Sequence, residues 1–295
     1  MGQRLGGRRA RRVLWPYQFV APALALTGLV FVYPIVQVVR YSFYAGSTSH
    51  LTYVGTANYT NVIHDPVFTQ SVLNNVKLLL TVPVMTVLAL GIALMLNTRV
   101  RGWRQYRAIV FLPYVLPATA IGLTFSYLLQ RNGVINTFLR GVGLGALAAD
   151  WLGSARWVVA SIGGVVIWQQ LGFGVVVFTA ALLALPEEIT EAARLDGATG
   201  WQVQRLILVP QIRGIVEFFM VLEAITVLSQ IFNYVYVLTG GGPGNASSVM
   251  EYYIWKNGFS LGSVGTASTV AVMLLALAGV LIAIYMRLRT RYTEA

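Results

Sequence analysis

Polar side chains recur at helical spacing along one otherwise apolar segment of the chain. They are Glu223, Thr226, Gln230 and Asn233, with Ser229 at the edge of the stripe. Intervals of three and four residues place such groups on one face of a helix. Polar groups inside a membrane are costly unless they face a cavity or another helix. The stripe is therefore a candidate lining for the path of a sugar-like solute, and hydrogen bonding to neighbouring helices is the alternative for each residue.

An earlier apolar segment contains a compact cluster of amide and aromatic groups. Its members are Gln169, Gln170 and Phe173, beside Trp168. Amides bond hydroxyl groups and an aromatic ring covers the apolar face of a pyranose, so we predict that this cluster also lines the path. Bonding within the protein is again the alternative.

A charged segment lies between these two apolar segments, over residues 186–210, and is named the charged loop here. Pro186 is suited to the first position of a helix, because its missing N–H would be unbonded there in any case. Glu187 and Glu188 would then lie at the positive end of the helix dipole. Gly197 is expected to end this helix. Glu217, just beyond the charged loop, is expected to pair with Arg213, four residues before it.

A second short helix of the charged loop is predicted from Gly200 to Val209, stopped by Pro210. The apolar residues of the first helix are expected to form one compact patch: Ile189, Ala192, Ala193 and Leu195. Two small amphipathic helices meeting at a glycine would make a knob on the membrane surface. On the residues alone, a docking knob and an ordinary solvated loop are equally good interpretations.

The composition indicates lipid as the surrounding solvent. The 295 residues are 57% hydrophobic and only 11% charged, and the mean hydropathy is +0.68. Soluble domains carry about 25% charged residues. The net charge is +11. Cysteine is absent, which excludes disulfides, thiolate metal sites and a cysteine nucleophile, and two histidines are too few for a histidine-only metal site.

Six apolar stretches are long enough to cross a bilayer core, which takes roughly 20 helical residues. The predicted spans are about 17–41, 74–97, 108–130, 156–185, 214–239 and 261–287. Segments rich in arginine alternate with segments poor in it, and short arginine-rich loops stay in the cytoplasm. Both termini and the charged loop are therefore predicted to be cytoplasmic. The first apolar run is longer than the core of a signal peptide, so we expect it to be retained as a span.

The segments on the other side are rich in Gly, Ser, Thr and Asn. Residues 42–76 and 130–155 are predicted to be loops with short helices. His50, His64 and Asp65 are interpreted as solvated loop residues, with contact to a docking protein as the alternative. The glycines of residues 240–244 predict a flexible loop.

Three motifs of the charged loop resemble a known signature. Glu191-Ala192-Ala193, then Asp196-Gly197-Ala198 and finally Leu208-Val209-Pro210 are similar to the EAA signature of permease subunits of bacterial ATP-binding cassette (ABC) importers. The form EAA-x-x-DGA followed by VP resembles the carbohydrate and glycerol-phosphate branch, typified by the maltose and glycerol-3-phosphate permeases. Gly55–Tyr59 and Tyr236–Pro243 resemble two further segments of that branch. The resemblance extends over residues 15–290.

This resemblance implies an all-α membrane protein with six transmembrane helices and a cytoplasmic coupling helix, the type I ABC importer permease architecture. Residues 1–14 would be a basic cytoplasmic tail, residues 15–290 the permease domain and residues 291–295 a second cytoplasmic tail. The residues that would couple to an ATPase are Glu187, Glu188, Glu191, Ala192, Ala193, Asp196, Gly197 and Ala198.

The resemblance also implies a set of partners in the bacterial plasma (inner) membrane. They are a second homologous permease, two ABC ATPases, an extracytoplasmic solute-binding protein, a sugar-like solute and membrane lipid, with no nucleic acid. The chain contains no Gly-Lys pair and hence no GxxxxGK[ST] phosphate loop. ATP and magnesium would therefore be bound by the partner ATPase, and this chain would be a non-catalytic subunit without a cofactor.

Two other classes of function are open to the residues. A stand-alone, ion-coupled secondary transporter would show inverted repeats or ion ligands inside the membrane, and neither is visible. A membrane enzyme would need clustered acid/base or metal-binding groups, whereas the carboxylates here are scattered. A disaccharide, an oligosaccharide, an amino sugar or a glycerophosphodiester would each suit the polar stripe.

Overall fold

A computed structural model describes residues 19–47, 49–97 and 103–293. The described chain is mostly helical, and its one sheet has two strands. The elements in chain order are α1 (Phe19–Tyr41), β1 (Tyr44–Ser47), β2 (His50–Tyr53), α2 (Ala57–Ile63), α3 (Pro66–Asn97), α4 (Trp103–Val115), α5 (Ala118–Leu128), α6 (Val134–Gly141), α7 (Val158–Leu183), α8 (Glu187–Leu195), α9 (residues 200–211), α10 (Arg213–Leu238), α11 (Met250–Trp255) and α12 (Val264–Thr293).

Among the described residues, five helices are long and apolar enough to cross a membrane: α1, α3, α7, α10 and the part Val264–Arg287 of α12. The number rises to six if α4 and α5 together make one broken span. The predicted tail 1–14 and residues 294–295 of the second tail lie outside the described residues.

The predicted third span, about 108–130, is not one straight helix. The axes of α4 and α5 differ by 96° at the break between Val115 and Ala118. Pro117 explains the break, since its ring disfavours a helical conformation for the residue before it and it has no N–H to donate. Pro117 itself is extended, with φ −60° and ψ 136°, and α5 begins directly after it.

The helix that contains the second predicted span is longer than that span, and the segment before it contains strands. Helix α3 begins at Pro66 rather than near residue 74, because the carboxylate of Asp65 accepts the N–H of Val67 and caps the helix. Strands β1 and β2 form an antiparallel hairpin, with Tyr44 opposite Tyr53. The short helix α2 agrees with the sequence prediction for this region, whereas the hairpin was not predicted.

The described chain divides into two compact units. One unit contains the residues up to Val62 together with Ile254–Met273. Its buried Asn58 amide donates to the carbonyl oxygens of Ser42 at 2.9 Å and Tyr44 at 2.8 Å, which ties α2 to the end of α1. This amide satisfies backbone groups that the turn after α1 leaves without helical partners.

The other unit consists of Ile63–Tyr253 and the described residues from Leu274 onward. It contains the charged loop, the polar stripe of α10 and the amide and aromatic cluster of α7. Its core is formed by α3 and α7, where Met85 and Ala89 pack with Val175 and Phe178. Gly172 permits a close crossing of α7 and α4, because a side chain there would collide with the carbonyl oxygen of Val110.

Candidate functional site

The first helix of the charged loop, α8, is stabilised at both ends by its own sequence. It begins at Glu187, one residue later than the predicted start at Pro186, which lies immediately before the helix. Glu187 and Glu188 occupy the first turn and Arg194 the last, so all three charges complement the helix dipole.

Gly197 ends α8 as predicted, and the backbone there strongly favours glycine. Its φ is +83°, in the left-handed region. The Gly197 N–H donates to the Arg194 carbonyl at 3.1 Å and the Ala198 N–H donates to the Ala193 carbonyl at 3.0 Å. This pair of bonds is the Schellman arrangement, which satisfies the last carbonyl groups of a helix.

The second helix, α9, begins with a capping box. The Thr199 backbone N–H donates to the Gln202 side chain at 2.7 Å, and the Gln202 N–H donates back to the Thr199 hydroxyl at 3.4 Å. The prediction that Pro210 stops this helix was wrong, since helical structure continues to Gln211. A π-helical stretch over Val203–Leu208 precedes Pro210. Pro210 lies in the first turn of the helical segment that follows, where a backbone N–H is not needed for a helical hydrogen bond.

The inner face of the charged loop is fixed to the helix core. Ala193, Val203 and Leu208 are buried with α3 and α7 in one apolar cluster. The side-chain amide of Gln204 also donates to the carbonyl oxygen of Leu94 at 3.3 Å, near the end of α3. The two loop helices are therefore attached to the helices behind them rather than suspended in solvent.

The outer face of the charged loop combines acidic and large apolar groups. The predicted single apolar patch is divided, because Ala193 is buried and Ile189 half-buried, whereas Ala192 is exposed and Leu195 is 89% exposed. Trp201 and Leu206 are also exposed, at 64% and 66%. The acidic residues around them are exposed as well: Glu187, Glu188, Glu191 and Asp196. Large apolar groups exposed among charges are typical of a protein-binding surface.

A cleft of about 340 Å³ lies beside α8. The residues that line it include Asn97, Leu182, Pro186, Glu191 and Arg194. Its position places polar groups of α8 next to the ends of α3 and α7. The sequence contains no local signal for this cleft, because it depends on how three separate segments pack.

The residues of the polar stripe on α10 differ in how far they are exposed. Glu223 is 1% exposed, and its Oε2 has no hydrogen-bond partner among the described residues. Ser229 and Gln230 are exposed, whereas Thr226 and Asn233 are half-buried. The helical spacing is as predicted, but neighbouring helices cover α10 differently at successive levels, so Glu223 is enclosed and Gln230 is not.

The hydroxyl groups of the stripe bond first to their own helix. Thr226 donates to the Leu222 carbonyl at 2.9 Å and Ser229 donates to the Ile225 carbonyl at 2.8 Å. Their oxygen lone pairs can still accept a bond. No hydrogen bond to the Gln230 amide is formed within the described part of the chain.

Gln169, one member of the α7 cluster, bonds within the protein, which is the alternative that the sequence left open. The Gln169 amide donates to the carbonyl oxygen of Leu116 at 2.9 Å, and the Tyr234 hydroxyl donates to its amide oxygen. Gln169 thus satisfies a carbonyl that the break before α5 frees from helical bonding. Gln170 is buried, and the half-buried Phe173 stacks on Tyr114 at 5.0 Å.

The predicted ion pair between Glu217 and Arg213 is confirmed. The Arg213 Nε lies 2.6 Å from the Glu217 carboxylate, one helical turn away on α10. Because both side chains are partly exposed, the pair orients Arg213 near the start of α10 more than it stabilises the fold.

At the opposite end of α10, the segment that follows the glycine-rich loop of residues 240–244 is bonded to α3. Gly240, Gly241 and Gly244 have positive φ and supply the predicted turns. The buried Asn74 amide then donates to the carbonyls of Ala246 at 2.7 Å and Ser248 at 2.8 Å. These bonds anchor the segment that follows the glycine-rich loop and link residues far apart in the chain.

The same region gives a structural role to Asp65, which was interpreted as a solvated loop residue. Its second carboxylate oxygen accepts the Tyr253 hydroxyl at 2.6 Å, while the first caps α3. Next to it, the Asn75 amide donates to both carboxylate oxygens of Glu251 at 3.1 Å. Asn75 also accepts the Met250 N–H at 2.8 Å.

Glu251 is expected to make the stability of this region depend on pH. Burial raises the pKa of Glu251 from 4.5 to about 7, against the opposing effect of hydrogen bonds from its backbone and from Asn75. A carboxyl group whose folded pKa is raised contributes its full stability below the unfolded pKa, and the contribution is lost as the pH rises through the folded value. We therefore expect the Tm of the purified chain to fall between about pH 5 and pH 8.

Thermal unfolding of wild type and Glu251→Gln over this pH range tests the prediction. The variant should show a clearly flatter profile, because its amide does not titrate, while Glu191→Gln, an exposed carboxylate, should keep the wild-type profile. Identical profiles for wild type and Glu251→Gln would exclude Glu251 as the source of the pH dependence.

Comparison with known proteins agrees with this arrangement. Residues 78–293 match the family model described as "Binding-protein-dependent transport system inner membrane component". The chain is 36% identical to the probable ABC transporter permease protein YurN of Bacillus subtilis (strain 168), over 88% of this chain and 90% of that protein. It is 33% identical to the sulfoquinovosyl glycerol transport system permease protein SmoG of Agrobacterium fabrum, over 91% and 88%.

The fold is also similar to that of a solved structure. A chain in the crystal structure of a bacterial ABC transporter involved in the import of the acidic polysaccharide alginate superposes with a TM-score of 0.82. The two chains are 21% identical, and the match covers 96% of this chain and 98% of the other. The motifs of the charged loop thus predicted the family correctly, and the chain belongs to the binding-protein-dependent transport system inner membrane components, as a non-catalytic permease subunit of an ABC importer.

Proposed function

We propose that this chain forms half of the translocation pathway of a sugar importer and that its charged loop transmits the movement of a cytoplasmic ATPase. The observation that supports this most directly is the two-sided charged loop. Its inner face is packed on α3 and α7, and its outer face presents Leu195 and Trp201 among exposed acids. A docked ATPase that moves this surface would move the attached helices as a rigid body.

The proposed assembly contains a second, homologous permease and two ATPases that bind ATP and magnesium. A solute-binding protein delivers solute from outside the cell. The charged loop and both termini, including the tails 1–14 and 291–295, are cytoplasmic, as the distribution of arginine predicts. The six-span domain occupies residues 15–290, with α4 and α5 as one broken span.

The proposed solute surface is the exposed part of the α10 stripe. Gln230 and Ser229 are exposed, with Thr226 and Asn233 half-buried beside them. Amide and hydroxyl groups suit the hydroxyls of a sugar, and the second permease would cover this face. The buried Gln169, Gln170 and Glu223 and the half-buried Phe173 lie behind it and shape it. A glycoside is the favoured solute class, because one relative is named for sulfoquinovosyl glycerol and the similar structure for a polysaccharide importer.

Transport in proteoliposomes tests the proposal. The assembled complex should accumulate members of a panel of radiolabelled mono-, di- and oligosaccharides and glycerol glycosides only with its binding protein outside and ATP on the side of the ATPases. The chain alone should accumulate none of them under an imposed proton or sodium gradient. Accumulation by the chain alone would favour an ion-coupled transporter and contradict the proposal.

A further inference from the structure

An apolar pocket lies at the end of α7 opposite the charged loop. Its volume is about 310 Å³, and it is formed by the first turns of α7 with α5, α6 and the segment that follows α6. The lining includes Phe125, Leu129, Trp151, Trp157, Gly164 and Val165. Trp157 and Gly164 are seven residues apart, which separates them by roughly 10 Å along a helix. The pocket therefore extends from the start of α7 toward the middle of that helix.

Two polar groups of the lining, the Ser161 hydroxyl and the Trp151 indole N–H, are already engaged within the protein. The Ser161 hydroxyl donates to the carbonyls of Trp151 and Trp157, both at 3.0 Å. The Trp151 indole N–H donates to the Asn136 amide oxygen at 2.8 Å. A sugar in this pocket would lose its hydrogen bonds to water without replacement, which is costly. The lining instead suits a hydrocarbon chain.

Positive charge lies at the mouth of the pocket. The exposed Arg156 places its guanidinium 5.3 Å from the centroid of the Trp157 ring, which lines the pocket. Arg140, on α6, donates to the carbonyl oxygen of Arg131 at 3.2 Å, so a second exposed guanidinium is held on an element of the same wall. Tryptophan is enriched at the level of lipid head groups, where arginine can contact a phosphate.

We propose that this pocket binds one acyl chain of an anionic phospholipid whose phosphate lies at Arg156. The two parts of the ligand match the two parts of the site, with hydrocarbon against the aromatic wall and negative charge at the guanidinium. A helix of another protein is a poorer match, because the site is a pocket of about 310 Å³ beside a guanidinium and not an extended face. The proposal does not depend on which solute is transported.

Native mass spectrometry of the assembled, delipidated transporter tests this, with dioleoyl phosphatidylglycerol and dioleoyl phosphatidylcholine as probes. Gly164→Leu should fill the pocket, since a Cβ at Gly164 meets no atom within 4 Å. Arg156→Gln should remove the head-group contact. We expect both variants to bind one phosphatidylglycerol molecule with at least fivefold weaker affinity than the wild type does. Arg156→Gln should leave phosphatidylcholine binding unchanged.

Arg40→Gln is the matched control, because Arg40 is also exposed over an aromatic ring, 5.7 Å from the Tyr44 centroid, but that ring does not line the pocket, whereas the Trp157 ring beside Arg156 does. It should bind lipid as wild type does. Ala160→Leu is a second pocket-filling variant in case Gly164→Leu does not assemble. Three results would each overturn the proposal. The assembled pocket-filling variants could bind phosphatidylglycerol with wild-type affinity, the wild type could bind the two lipids equally well, or the pocket-filling variants could lose the second permease instead of the lipid.

Discussion

Replacing Gly197 by valine is expected to abolish uptake while the chain still inserts into the membrane. The φ of Gly197 is +83°, and no atom lies within 4 Å of a Cβ placed there, so the cost is conformational and not steric. A left-handed residue other than glycine costs about 1–2 kcal/mol, and a β-branched residue costs more. The end of α8 would therefore unwind, and Leu195 and Asp196 would leave their positions on the docking surface.

Uptake by the complex, membrane content of the chain and ATPase copurification measure this effect. We expect at least a tenfold loss of uptake together with loss of the ATPase. Gly200→Val is the control, because Gly200 also has open space around it but no positive φ. Gly197→Asn should retain partial activity, since asparagine tolerates the left-handed region. Full uptake by Gly197→Val would remove the coupling role of the charged loop.

Replacing Gln230 by leucine is expected to reduce uptake about tenfold or more without loss of assembly. Gln230 is exposed on α10, and its amide forms no hydrogen bond within the described residues, so it is available to a solute hydroxyl. Losing a polar contact that a bound solute needs leaves the solute group unpaired, at about 1–3 kcal/mol.

The comparison with Ser229→Ala makes the measurement specific. The Ser229 hydroxyl already donates to the Ile225 carbonyl, so its removal should reduce uptake much less. Phe218→Leu is a control for an unrelated substitution on α10, since Phe218 is an exposed apolar residue outside the polar stripe, and it should leave uptake unchanged. Solute-stimulated ATPase activity and uptake should fall together in Gln230→Leu. Unchanged transport by this variant would exclude the α10 stripe as the solute surface.

Local sequence signals predicted the charged loop well because its ends are determined locally. The Schellman end at Gly197 and the acids in the first turn of α8 need no distant contact. The exposure of Leu195 was not predicted, since helical spacing alone does not say which neighbours cover a side chain. The prediction that Pro210 ends α9 failed because the π-helical stretch before the proline changes which backbone groups need hydrogen-bond partners.

The exposure and the bonding of the intramembrane polar groups could not be predicted from local sequence either. Spacing correctly placed the α10 residues on one helical face, but Glu223 is enclosed and Gln230 exposed because other helices cover α10 unevenly. The bonds of Gln169 to Leu116 and of Asn74 to Ser248 join residues more than 50 positions apart, so no local pattern indicates them. The 96° break before α5 had a local signal in Pro117, which the apolar run concealed.

Single-cysteine cross-linking tests contact between the charged loop and the ATPase most directly, and the absence of native cysteine makes it clean. Leu195→Cys places a label on the outer face of α8, where Leu195 is 89% exposed. Phe138→Cys places the same label on α6, where the side chain is 66% exposed. In native membranes, a photoreactive label at position 195 should cross-link to a polypeptide that azido-ATP also labels, and one at position 138 should not. Failure at position 195 in a transport-active complex, or equal cross-linking at both positions, would contradict the account.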